Sequence, residues 1–157
     1  MIPQLFIDTL RENGQSVSVA ESLTGGLLAS ALVDIPGASD VFLGGVVAYT
    51  IAAKREVLGV GKDALECGVV SREVAIAMAE GAIDLFGSDY AISTTGVAGP
   101  GPQEGIEAGT IWLGYASKAS TGAVLMRLAG DRNQVRTATV NAALEMIDTQ
   151  EVFNRLR

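Results

Sequence analysis

Strand-like apolar runs alternate with helical patterns from the start of the chain to residue 95, and this alternation constrains the fold more than any other feature. Residues 3–13 carry Leu5, Phe6 and Leu10 at helical spacing and stop at Gly14. Residues 16–20 read as a short strand, and 24–33 as a helix that ends before "DIPGASD". Residues 41–50, "VFLGGVVAYT", read as a buried strand with a glycine pair. A short helix, "AAKREVLG", follows, and "DALECG" reads as another helical turn. Ser71 has the position of an N-cap for a long helix closed by Gly87, and residues 89–95 form the next strand. Strands separated by helices pair in parallel through crossover connections.

Beyond residue 95 the pattern changes. "GVAGPGPQEG" is a glycine- and proline-rich loop, and "AGTIWLGYAS" and "GAVLMRLAG" form a hairpin. Asp131 caps a last helix over about 132–148. The reading predicts an α/β fold, a three-layer α/β/α sandwich on a mixed, mostly parallel sheet of about five strands with one C-terminal hairpin. Trp112 and Phe42, in apolar strands, are expected in the core. The length, 157 residues, suits one domain.

The chain contains no histidine, which excludes a Ser-His-Asp triad and His-rich zinc sites. A serine nucleophile here would need a lysine, carboxylate, tyrosine or water as its base. The single cysteine, Cys67, excludes a disulfide framework and is expected as a small buried residue. The net charge of −7, with no dense Lys/Arg cluster, counts against nucleic acid as a partner. No apolar run approaches the roughly 18 residues of a membrane span, and the first residues do not resemble a secretion signal. No membrane partner, no metal and no cofactor is expected, and the location expected is cytoplasmic.

Ligands of open α/β sheets bind beyond the carboxyl ends of the parallel strands. The first strand ends at Glu21-Ser22. The second ends at Tyr49-Thr50, with Lys54 one helical turn later, and the third ends at Thr94-Thr95. Parallel pairing would bring Ser22, Tyr49, Lys54 and Thr95 to one rim. Ser22 alone reads most simply as a helix N-cap. Its alternative is a nucleophile at a strand-to-helix turn, with Thr24, Gly25 and Gly26 giving a ligand access to backbone N–H groups. Lys54 alone reads as a solvated lysine; as a base it requires a pKa lowered by desolvation or a cationic neighbour. Glu21 could orient Lys54 or cap the helix. "TTGVAGPGP" lacks the ending of a P-loop and is not followed by a helix, so both nucleotide-fold readings fail. It is a plain connection or a backbone nest beside a reacting carbonyl. Arg132 and Arg136, at i, i+4, are surface charges or an anion clamp.

The stretches "VAESLTGG", "GGVVAYTIAAKREVLGV", "GVVS", "STTGVAGPGP", "GTIWLGYA" and "GDRNQVR", in this order and spacing, resemble the CinA C-terminal domain family over roughly residues 5–147. The resemblance implies a three-layer α/β/α fold. It also implies the activity of characterised members, metal-independent hydrolysis of the carboxamide of nicotinamide mononucleotide by a Ser/Lys amidohydrolase. Ser22, Lys54, Tyr49 and Thr95 match its catalytic positions, and Arg132, less surely Arg136, matches the arginine expected to meet the phosphate. Lys54 would take the proton of Ser22, backbone N–H groups near Thr24–Gly26 or Gly96 would hold the oxyanion, and Tyr49 and Thr95 would position the lysine and relay protons to the departing ammonia. The partner implied is a small pyridine mononucleotide. A homodimer is a separate expectation, since a small apolar domain has surface to spare, although no motif marks it. Related sequences often carry Asn where this one has Ile51, which bears on affinity or specificity. Longer members, linked to competence and DNA damage, fuse this domain behind another. The alternatives are a non-catalytic nucleotide- or partner-binding module and an amidohydrolase of another amide.

Overall fold

The computed structural model describes residues 2–148. Helix α1 (Ile2–Glu12) leads into β1 (Val17–Glu21), α2 (Leu27–Val33), β2 (Phe42–Val47), α3 (Ile51–Glu56), α4 (Lys62–Glu66), α5 (Arg72–Phe86) and β3 (Tyr90–Gly96). The hairpin strands β4 (Thr110–Ser117) and β5 (Thr121–Arg127) precede α6 (Arg132–Asp148). The five strands form one sheet in the order β2-β1-β3-β4-β5. β1 pairs in parallel with both β2 and β3, whereas β4 is antiparallel to β3 and to β5. Four strands therefore share one direction, and the mixed, mostly parallel α/β sandwich expected from the sequence is the one observed.

The apolar residues divide between the two faces. On one, Val17, Val19, Tyr90 and Ile92 pack with Phe6, Ile7 and Leu10 of α1, Leu28 and Leu32 of α2, and Ala143 and Met146 of α6. On the other, Ala20, Ala91 and Ala116 pack with Val74, Met78 and Ala82 of α5 and with Leu58 and Val60. The small residues of the second face let α5 approach closely: a Cβ on Gly114 would lie 2.3 Å from the Ala75 carbonyl oxygen. Ser71 caps α5 by accepting from the Val74 N–H, and Gly87 closes it in the left-handed conformation at φ 69°. At the start of α6, Asp131 accepts from the Gln134 N–H while Gln134 accepts from that of Asp131, a reciprocal capping box.

Four expectations are corrected. The helix expected from residue 24 begins at Leu27, because residues 22–26 form turns with Gly25 and Gly26 at φ 57° and 102°. β2 stops at Val47 and is a half-exposed sheet edge rather than a buried strand, with Leu43 and Val47 open to solvent. Trp112 and Phe42 are half-buried: Trp112 lines an open concavity beside its cross-strand partner Leu125, itself exposed, and Phe42 lies on β2, which has no outer neighbour. Cys67, at the end of α4, is exposed. Among the described residues, no helix is long and apolar enough to cross a membrane.

Strand order fixes where a ligand can bind. The chain leaves β1 through α2 to β2 on one side, then returns past β1 to β3 on the other. The carboxyl ends of β1 and β3 thus diverge at a topological switch point, where open α/β sheets bind ligands. Ser22 follows the last residue of β1, and Thr94 and Thr95 lie at the end of β3.

Candidate active site

A cavity of about 220 Å³ opens at this switch point. Its wall includes Ser22, Tyr49, Lys54, Thr95, Gly96 and Arg132, so the rim expected from the three strand ends is assembled. The ammonium nitrogen of Lys54 lies 2.9 Å from Ser22 Oγ and 2.8 Å from the Ala48 carbonyl oxygen, to which it donates. Lys54 is 1% exposed although it lies on the short helix α3, because its amine turns inward to Ser22, just after β1, and to the Ala48 carbonyl, just after β2. Among the described residues no carboxylate forms an ion pair with it. Burial without a counter-charge disfavours the ammonium and lowers the pKa from 10.5 to about 8. A neutral amine accepts a hydrogen bond from a hydroxyl, so the same contact can serve proton removal from Ser22.

The turn that presents Ser22 is held from three sides. Ser22 N–H donates to the Thr94 carbonyl at 2.9 Å, which extends the β1–β3 ladder by one residue. Thr24 and Thr94 share a hydroxyl–hydroxyl hydrogen bond of 2.7 Å. Arg136, on α6, donates through Nε to the Leu23 carbonyl at 2.9 Å and through Nη2 to the Thr24 carbonyl at 3.1 Å. Glu21 is 1% exposed, and its carboxylate accepts from the N–H groups of Gly26, Leu28 and Ala29. That carboxylate caps α2, the part the simplest reading gave to Ser22, and the helix dipole favours an anion there.

Several sequence expectations change accordingly. Ser22 makes no capping bond to α2, whose N-cap is Gly26. Glu21 is spent on that helix and does not contact Lys54. Thr24 is fully buried against Thr94 and faces away from the cavity. Gly25 and Gly26 serve the left-handed turn, and a Cβ on Gly25 would sit 3.3 Å from Arg136 Nη2. Their N–H groups already donate, to the Ser22 carbonyl and to Glu21.

The two arginines separate: Arg136 braces the serine turn, while Arg132 lines the cavity and donates to the Gly99 carbonyl and to Tyr49 Oη, at 2.7 and 2.9 Å. Tyr49, 56% exposed, stands at the mouth. Thr95 donates to the Val69 carbonyl at 2.9 Å. The hydrogen bonds of Lys54 go to Ser22 and Ala48, so neither Tyr49 nor Thr95 positions it directly. Ile51 is 48% exposed and outside the cavity wall. The wall also contains residues that sequence reasoning missed: Leu23, Val69, Val70, Ala98 and Gln103. All but Gln103 fall within stretches that carry the family resemblance, yet their apolar side chains give no chemical reason to single them out; Gly68, at φ 99°, is a local sign that the chain turns sharply just before Val69 and Val70.

The sequence profile of the CinA C-terminal domain matches residues 2–150. The chain belongs to the CinA C-terminal domain family. It is similar to a CinA-like protein of Frankia casuarinae, 45% identical over 144 residues, covering 91% of this chain and 33% of that protein. A CinA-like protein of Fervidobacterium nodosum is 42% identical over 142 residues, 89% of this chain and 35% of its own length. The chain thus spans about a third of the length of these curated relatives. Among solved structures, it is similar to a competence-damaged protein (CinA) superfamily protein from Escherichia coli at TM-score 0.89 and 34% identity, covering 93% of this chain and 86% of that one. The competence/damage inducible protein CihA from Agrobacterium tumefaciens gives TM-score 0.87 and 39% identity, with 93% and 91% covered.

Proposed function

We propose that this CinA-family chain is an amidohydrolase that uses Ser22 as nucleophile and Lys54 as base, and that its substrate is the carboxamide of a pyridine mononucleotide. The observation that carries the reading is the 2.9 Å contact between Ser22 Oγ and the amine of a buried lysine with no ion-pair partner among the described residues. A serine hydroxyl is a weak nucleophile until an adjacent base takes its proton, and a desolvated lysine suits that task. The resemblance of the motifs to the deamidase of nicotinamide mononucleotide supplies the substrate class.

In this mechanism neutral Lys54 removes the hydroxyl proton as Ser22 Oγ attacks the amide carbon. The tetrahedral oxyanion needs N–H donors. Those of Ser22, Gly25 and Gly26 are committed, which leaves Leu23, Thr24 or Gly96 for the part. The C–N bond breaks as Lys54 returns the proton to the departing nitrogen, and ammonia leaves an acyl ester on Ser22. Lys54 then takes a proton from water, hydroxide oxygen adds to the ester carbon, and the Ser22–acyl bond breaks with the proton returned to Oγ. The products are the nucleotide acid and ammonia. Arg132, bridging Gly99 and Tyr49, keeps the mouth in shape.

The test is ammonia release from nicotinamide mononucleotide by the purified chain beside Ser22→Ala and Lys54→Ala. Loss of a base of this kind costs about 10²- to 10⁴-fold in rate, and both variants are expected to fall at least that far with their fold intact. Activity that survives Ser22→Ala, or a parent that releases no ammonia, overturns the reading.

A further inference from the structure

The cavity at Ser22 is too small to be the whole binding site. Sites for small molecules begin at roughly 300 Å³, and this one measures about 220 Å³. A second, open concavity of about 530 Å³ adjoins it, and Val70 lines both. The turn at 103–106 spans the two as well. Gln103 and Ile106 exchange both backbone hydrogen bonds at 2.9 Å around Glu104 and Gly105, which have φ 51° and 76°. Gln103 faces the first cavity, and Gly105 and Ile106 line the second. Sheet register explains the adjacency: Thr95, in the first wall, is the cross-strand partner of Trp112, in the second.

The second concavity differs in chemistry from the first. It offers the half-buried indole of Trp112, with Leu125 and Ile106 beside it, and two opposite charges, the guanidinium of Arg127 and the exposed carboxylate of Glu107, which form no ion pair with each other. Arg127 pairs across the hairpin with Thr110 and donates through Nη1 to its hydroxyl, which fixes the guanidinium and leaves its other N–H groups for a ligand. A fixed guanidinium suits a phosphate, and an aromatic face suits the apolar face of a ring.

We propose that the substrate extends over Val70, with its carboxamide at Ser22, its sugar against Trp112 and its phosphate on Arg127. The proposal rests on the amidohydrolase reading and deepens it. What it adds is the subsite: Arg127 rather than Arg132 becomes the specificity residue for phosphate, and Trp112 the platform for the sugar.

Trp112 is the only tryptophan in the chain, so its emission reports directly on this concavity. Nicotinamide mononucleotide, titrated into Ser22→Ala to prevent turnover, is expected to change that emission saturably. Free nicotinamide, which lacks the sugar and phosphate, is expected to leave it unchanged. In the active protein, Arg127→Gln is expected to raise KM for the mononucleotide at least tenfold with kcat within twofold, and to leave KM for the riboside, which has no phosphate, unaltered. Trp112→Phe should keep the fold and weaken both sugar-bearing substrates. A chain that hydrolyses the mononucleotide while Trp112 stays silent, or in which Arg127→Gln affects nucleotide and riboside alike, overturns this subsite and leaves the amidohydrolase intact. A chain that neither hydrolyses nor binds the mononucleotide overturns both.

Discussion

Lys54→Met separates what the lysine does for chemistry from what it costs the fold. Methionine keeps an unbranched stem of similar length and removes the amine. The amine is buried, and burial lowers its pKa from 10.5 to about 8. The folded chain therefore binds this proton less tightly than the unfolded chain does. Below about pH 8 both states are protonated and the folded state carries the full penalty. Between about pH 8 and 10.5 the unfolded chain alone is protonated, so stability rises with pH; above that range neither carries the proton and the penalty is gone. The gap between the two values corresponds to about 3 kcal/mol, of which about 1 kcal/mol is recovered between about pH 7 and 9. The variant also strips the Ala48 carbonyl and Ser22 Oγ of a partner, a loss of about 1–3 kcal/mol that does not depend on pH. The two effects nearly cancel at neutral pH, so the slope is the diagnostic quantity. Urea unfolding of parent and variant across this pH range should show the parent gaining about 1 kcal/mol on the variant from about pH 7 to 9. A flat difference would refute the claim that Lys54 is desolvated and unpaired. A parent that gains on acidification would show instead that the ammonium is held by a counter-charge.

The same pKa sets the pH dependence of hydrolysis: kcat/KM should rise about tenfold per pH unit below about pH 8 and level off above it, read from ammonia release under subsaturating substrate. Glu21→Ala leaves three N–H donors at the start of α2 without their carboxylate and should lower stability by about 2–4 kcal/mol, measured by thermal unfolding, with Glu21→Gln intermediate. Gly25→Ala must place a Cβ at φ 57° and against Arg136, so a loss of about 1–2 kcal/mol is expected, together with reduced turnover because the serine turn shifts.

Much of the fold was legible because each strand and helix announces itself by the spacing of its apolar residues. Those strand ends, combined with parallel pairing, were enough to bring Ser22, Tyr49, Lys54 and Thr95 to one cavity. The parts that were not legible depend on tertiary partners. Glu21 caps a helix that starts six residues later, across a turn built from two left-handed glycines, so no adjacent capping pattern marks it. Arg136 reaches carbonyls more than a hundred residues away in sequence, and its i, i+4 relation to Arg132 suggested a shared task that the helix does not give them. Trp112 looked like core because its strand is apolar; it is half-exposed because it lines an open concavity, which the strand sequence does not encode. Val69, Val70 and Gln103 shape the cavity through position, without chemical signatures of their own.

The central claim is that Ser22 carries the acyl group, and the most direct measurement is mass spectrometry of the enzyme quenched in acid during turnover of nicotinamide mononucleotide, followed by peptide mapping. An added nicotinoyl-nucleotide ester is expected on the peptide that contains Ser22, absent from Ser22→Ala and, because Lys54 also drives acylation, absent or reduced in Lys54→Ala. Turnover without any adduct on that peptide, or an adduct on another residue, would contradict it.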